Sequence, residues 1–207
     1  MDNHLKRVYL QEVGTQCDFA LRAVVHVNHA LHVLELRKSG QVDTQAAHQE
    51  VFRNLHSLFT HASNISRLLW PPRPPRKRGE SNEAYQARRD RTVARGQTLR
   101  ELLEIGNGEH PLKGRTLRDH LQHFDERLDD WTVTSRNVNI MQDYIGPPGS
   151  VVVGLDDSDR MRGFDPGSAN LTFRGETYNV QTLVTAIDAL KPIAERKEKE
   201  LWRSLPP

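Results

Sequence analysis

The stretch LQEVGTQCDFALRAVVHVNHALHVL, residues 10–34, decides the fold class. Its apolar residues fall at Leu10, Val13, Cys17, Ala20, Val24, Val27, Leu31 and Leu34, an alternating three-four spacing. An α-helix turns once every ~3.6 residues, so this spacing gathers one apolar stripe on one face. Ser39-Gly40 stops the helix, since glycine readily takes the left-handed cap conformation. Asp43 or Thr44 caps the next one. There the stripe reads Ala47, Val51, Leu55, Leu58, Ala62, Ile65 and Leu69. Pro71-Pro72 ends it, because proline disfavours helical geometry in the residue before it. Two long helices joined by a short link predict an antiparallel hairpin.

Residues 71–79 hold four prolines and a run of basic residues, which predicts a stiff, exposed, basic loop. A third, mostly polar helix restarts at Ser81-Asn82-Glu83 and runs towards Ile105. Gly106-Asn107-Gly108 breaks it. A fourth helix starts near Arg115, with its stripe at Leu117, Leu121, Phe124, Leu128 and Trp131. The pattern then changes. Val151-Val152-Val153 reads as a short strand, and Asp165-Pro166-Gly167-Ser168 is a turn signal between residues 161–164 and 171–173, predicting a hairpin. A last amphipathic helix carries Val180, Leu183, Val184, Ile187, Leu190 and Ala194. The expected fold is mainly α with minor β. A four-helix bundle-like core spans 5–131, a turn-rich β element 132–178 and a closing helix 179–203, all in one domain of 1–207.

Composition narrows the class. Hydrophobic residues make up 36% and charged residues 27% of the 207, with a mean hydropathy of −0.68. No apolar run approaches the roughly 20 residues that span a bilayer. The N-terminus lacks the charged-then-apolar layout of a signal peptide. A single cysteine, Cys17, excludes an intrachain disulfide. The expectation is a soluble, cytoplasmic protein with no membrane partner. Cys17 lies in the apolar stripe and reads as a small buried filler. Trp70, Trp131 and Trp202, near helix ends, read as packing anchors. Phosphate-binding glycine loops, GxSxG and zinc-ribbon cysteines are absent from the sequence.

The net charge of +2 is unevenly spread. Residues 73–100 hold nine basic and three acidic side chains, a net +6, which leaves −4 for the rest. Such a patch attracts a polyanion. Arg73, Arg76, Lys77 and Arg78 are the candidate substrate-binding residues, with RNA as the partner.

One segment carries a chemical signal: Arg118-Asp119-His120-Leu121-Gln122-His123. With Leu117 at zero on a helical wheel, Arg118 falls near ~100°, Asp119 near ~200° and His123 near ~240°, all away from the apolar stripe. His120, near about −60°, sits at the stripe's edge and reads as structural. Histidine moves protons at neutral pH. Arginine stays charged and offers a planar fork that fits a phosphate. Together they promote attack of a ribose 2′-hydroxyl on the adjacent phosphate, a step that needs no metal and no cofactor. Arg118 and His123 stand about 140° apart on the wheel. A symmetric dimer resolves this by lining one cleft with two copies of the helix.

The Arg118-Asp119-x3-His123 pattern resembles the arginine, polar residue, x3, histidine motif of the HEPN superfamily, which also sits on a late helix of a helical bundle. The resemblance implies a homodimer, a composite cleft and metal-independent endoribonuclease activity in toxin–antitoxin or other defence systems, with an antitoxin or regulatory protein as partner. It makes Arg118, Asp119 and His123 the catalytic trio. Asp119 departs from the family's usual asparagine and sets a negative charge beside the phosphate. Two other readings stay open. One is a non-catalytic dimeric binding or adaptor protein. The other is a metal site built from His26, His29 and His32 on the first helix with His120 and His123.

Overall fold

The structure, a computed structural model, describes residues 1–36, 44–106, 108–114, 124–136, 138–147 and 155–204. Five helices are described: α1 (Asn3–Leu36), α2 (Thr44–Leu69), α3 (Asn82–Leu102), α4 (Phe124–Thr134) and α5 (Val180–Arg203). A four-stranded sheet lies between α4 and α5 in sequence: β1 (Tyr144–Ile145), β2 (Gly163–Asp165), β3 (Asn170–Phe173) and β4 (Glu176–Asn179). The fold is mainly α with minor β and a closing helix.

The first two stripes form the core. On α2 every stripe residue is buried, and Phe52 and Phe59 join them. On α1, Leu10, Val13, Cys17, Ala20 and Val27 are buried, while Val24, Leu31 and Leu34 pack at its edge. Ala23 and Ala30 are buried in addition. The wider arc has a plain cause: α1 packs against both α2 and α5. A helix between two neighbours must bury more than one stripe; Ala23 and Ala30 lie seven and fourteen positions on from Gln16, on the side that faces α2. The closing helix is thus part of the core, burying Val180, Ile187, Leu190 and Ala194. Lys191 of α5 pairs with Asp18 of α1 at 2.5 Å, and Arg7 of α1 with Glu198 of α5 at 2.6 Å. Between α1 and α2, Gln16 Oε1 accepts from Asn64 Nδ2 at 3.2 Å and lies 2.8 Å from His61 Nδ1.

Pro71 follows α2 as the sequence predicts, and α3 crosses that end. A Cβ on Gly96 would stand 2.5 Å from Pro71 Cδ and 2.7 Å from the Leu69 carbonyl oxygen, so only glycine permits this crossing. Arg100 donates to the Leu69 carbonyl, and Arg95 Nη2 donates to the Arg67 carbonyl at 3.1 Å. These bonds satisfy carbonyls that the end of a helix leaves without partners.

Helix α4 leans on the sheet. Trp131 is buried and its Nε1 donates to the buried Asp159 carboxylate at 2.8 Å. Phe124 meets Phe173 edge-on. The predicted hairpin is present: β2 and β3 pair antiparallel, with Phe164 opposite Leu171, across the Asp165 turn. Two strands were not foreseen. β1 pairs parallel with β2, and the Tyr144 ring covers Gly163, where a Cβ would sit 1.9 Å from it. β4 returns from β3 through Arg174 and Gly175, both at positive φ. Such a two-residue turn matches the twist of the strands. The expected strand at Val151–Val153 lies outside the described residues, as does the cap at Ser39-Gly40. Trp70 is half-buried. Trp202 is 59% exposed, its ring covered by the Arg7 guanidinium at 4.0 Å and not by the core. No described helix is long and apolar enough to cross a membrane.

Candidate functional site

The basic loop folds back on the start of α3. Ser81 caps that helix by accepting from the Ala84 N–H at 3.2 Å. Glu80, one residue earlier, organises the loop. Its carboxylate accepts from Arg88 Nη2 at 2.7 Å, Arg88 Nε at 2.9 Å and the Lys77 backbone N–H at 3.0 Å. The Arg88 bonds, then the Lys77 N–H, hold the Glu80 carboxyl down at about 2. It is ionised at any physiological pH. Arg88 also donates to the Pro75 carbonyl at 2.9 Å, which pins the proline segment to α3.

Tyr85 is the hub of this platform. The guanidinium carbons of Arg88, Arg73 and Arg76 stand 5.6, 5.7 and 5.9 Å from its ring centroid, within cation–π range. Arg73 Nε donates to the Tyr85 hydroxyl at 2.7 Å. Arg76 Nη2 donates to the Glu80 carbonyl at 3.0 Å and to Asn82 Oδ1 at 2.7 Å. Of the four predicted substrate-binding residues, Arg73 and Arg76 are therefore fixed by internal partners. The side chains of Lys77 and Arg78 are exposed and make no hydrogen bond or ion pair among the described residues. Arg91 is likewise exposed one turn along α3, and Arg95 covers the Tyr9 ring at 5.3 Å. Fixed guanidinium groups beside aromatic rings suit the backbone and bases of a single-stranded nucleic acid. Sequence reasoning found the charge and missed Tyr85 and Glu80. The available signal was one tyrosine and one glutamate amid arginines.

The predicted catalytic trio, Arg118, Asp119 and His123, lies outside the described residues, as does His120. The described chain stops at Gly114 and resumes at Phe124. The three α1 histidines considered as metal ligands, His26, His29 and His32, are exposed. Among the described residues no group of three or more His, Cys, Asp or Glu side chains is placed to hold a metal ion. Of three other histidines, His61 and His110 make internal hydrogen bonds and His56 is exposed. His110 Nδ1 accepts from the Leu112 N–H at 3.2 Å, and burial lowers its pKa. Burial also lowers His61, and burial with the nearby Arg162 lowers His56. Burial pushes the Cys17 thiol up to about 12, so it carries no thiolate at neutral pH. No protein-family model matches this chain, and neither the curated proteins nor the solved structures searched include a match.

Proposed function

We propose that this chain is a HEPN-like, metal-independent endoribonuclease of a cytoplasmic toxin or defence system, working as a homodimer. The observation that carries the reading is the Arg118-Asp119-x3-His123 motif in a mainly helical chain. The basic platform supports it by offering charge for an RNA backbone. In the proposed reaction His123 takes the proton of the ribose 2′-hydroxyl, and O2′ attacks the adjacent phosphorus. The P–O5′ bond breaks, and the second protomer's copy of the histidine returns a proton to the departing oxygen. The products are a 2′,3′-cyclic phosphate and a 5′-hydroxyl. Arg118 stabilises the charge that develops on the phosphate oxygens. An antitoxin or regulatory protein would hold this activity in check.

A second reading, a non-catalytic HEPN-like dimeric binding or adaptor protein, is favoured by the platform itself. It concentrates positive charge, and residues 71–100 contain no histidine. Labelled RNA incubated with the purified protein in EDTA separates the two. The ribonuclease reading expects cleavage that falls by at least about a hundredfold in Arg118→Ala or His123→Ala, the scale of acid–base catalysis. RNA that is bound and stays intact, with no inhibitory partner present, establishes the adaptor reading instead.

A further inference from the structure

A cleft of about 370 Å³ lies between the start of α1 and one side of α3. Its size falls within the range of small-molecule pockets, about 300–1,000 Å³. Its apolar lining comes from Leu5 and Tyr9 of α1 and Ala94 of α3. Leu5 is 43% exposed, so the core leaves this apolar surface open to solvent. Its cationic lining comes from Arg88, Arg91 and Arg95 of α3. Residues three and four apart are neighbours on a helix surface, so these guanidinium groups follow one another in a row.

Three features define what fits. First, charge is left over. Arg88 is paired with Glu80 at 2.7 Å. Arg91 is exposed and has no partner among the described residues. Arg95 gives Nη2 to the Arg67 carbonyl at 3.1 Å, and a neutral carbonyl leaves its charge in place. Like charges one turn apart repel, so Arg91 and Arg95 suit an anion between them. No Asp or Glu among the described residues lines the cleft. The Asp2 carboxylate is taken up at the start of α1, where it accepts from the Leu5 N–H at 2.7 Å. Second, the surface includes a stack. The Arg95 guanidinium carbon lies 5.3 Å from the Tyr9 ring centroid. Aromatic rings and guanidinium planes are the surfaces on which unpaired RNA bases stack. Third, the cleft is continuous with the basic platform. Arg88 lines the cleft, stands 5.6 Å from the Tyr85 ring centroid and donates to the Pro75 carbonyl at 2.9 Å. A polyanion that crosses the platform is led by this side chain into the cleft. An acidic polypeptide would meet the same charge, but arginines set against Tyr85 and again against Tyr9 favour a chain that repeats flat bases along with its charges.

We propose that this cleft is a base-binding subsite for single-stranded RNA held on the basic platform. One unpaired base lies against Leu5, Ala94 and the Tyr9–Arg95 stack, and Arg91, with Arg95 beside it, binds the adjacent phosphate. A base inside a duplex has both faces stacked and cannot enter, so the cleft selects single strands. The proposal rests on the reading of the platform as an RNA surface. It does not depend on RNA cleavage by Arg118 and His123.

Amide correlation spectra of the ¹⁵N-labelled full chain test it. The probes are a 2′-O-methyl adenylate decamer, which lacks the nucleophile for cleavage, an abasic decamer with the same phosphates, and a polyglutamate of matched charge. The adenylate decamer is expected to shift the amides of Lys77 and Arg78 and also those of Leu5, Tyr9 and Ala94. The abasic decamer is expected to shift Lys77 and Arg78, to leave Leu5 and Tyr9 unmoved, and to bind at least about fivefold more weakly, the value of one stacked base. Arg91→Gln, at an exposed position, is expected to weaken the adenylate decamer about three- to tenfold, to lower the salt dependence of binding and to keep the wild-type melting temperature. Shifts confined to Lys77, Arg78 and Tyr85 overturn this subsite and leave the RNA surface standing, whereas no shift anywhere overturns both. Equal shifts of Leu5 and Tyr9 by the abasic decamer overturn base binding. Equal shifts there by polyglutamate overturn it too, by pointing to an acidic polypeptide, as does an Arg91→Gln chain that binds the adenylate decamer as tightly as wild type.

Discussion

The α1–α2–α5 core and the sheet with α4 are held together in different ways. In the core, burial repeats: Leu55, Leu58, Ile65 and Leu69 each do the same job on successive turns of α2. Against the sheet, single contacts carry the packing. Trp131 reaches Asp159, the Tyr144 hydroxyl meets Thr172 Oγ1 at 2.7 Å, and Arg174 pairs with Asp130 at 2.8 Å. Stability is distributed in the first region and concentrated in the second. Repeated apolar burial spreads its contribution over many residues, at roughly 1.5–3 kcal/mol for each large side chain. A buried polar pair concentrates its effect, because removing one member strands the other.

Three measurements test that contrast. The largest effect is expected for Leu58→Ala, where the side chain is fully buried. The loss should be about 2–5 kcal/mol in denaturant unfolding, from lost burial plus the cavity left behind. A loss below 1 kcal/mol would mean that the core repacks freely. Asp159→Ala should cost less, about 1–3 kcal/mol, by leaving the Trp131 N–H without an acceptor. Its signature is local: the Trp131 indole proton should shift and exchange faster, while amides of α1 and α2 keep their protection. Equal loosening of both regions would show that they unfold as one unit.

The smallest effect is a pH dependence of the helical part. His56, His61 and His110 all have lowered pKa values, chiefly through burial. In the unfolded chain they take up protons from about pH 6.5 downward. The unfolded state then binds more protons than the folded one, so the stabilisation present above that pH is lost as pH falls through the folded values. The melting temperature should decline from pH 7.5 to 5.5, a window above the range in which Glu80 and other carboxylates titrate. A flat profile contradicts the lowered pKa values of these three histidines.

Legibility in the sequence followed the same division. The stripes of α1, α2 and α5 were readable because helical burial leaves a period in the residues themselves. So was the turn at Asp165, whose carboxylate accepts from the Gly167 N–H at 3.0 Å and from the Ser168 hydroxyl at 2.6 Å. β1 was not readable. Its two residues make sense only beside β2, and the glycine that lets Tyr144 lie flat is 19 positions away. At the basic platform the charge was visible at once. The division into bound arginines, such as Arg73 and Arg76, and cations without a partner among the described residues, such as Lys77, Arg78 and Arg91, was not. That division depends on where Glu80 and Tyr85 come to rest.

The helical class, the α1–α2 stripes, the break at Pro71 and the concentration of positive charge in residues 73–100 are all written in the local sequence. Each depends on residues near one another along the chain, whose period or local geometry needs no distant partner. The tertiary structure decided that α5 joins α1 in the core, that Trp131 finds Asp159, and that Glu80 and Tyr85 gather the arginines of the basic loop. Those outcomes join residues far apart in sequence, and no local spacing encodes a contact that forms only when distant segments pack.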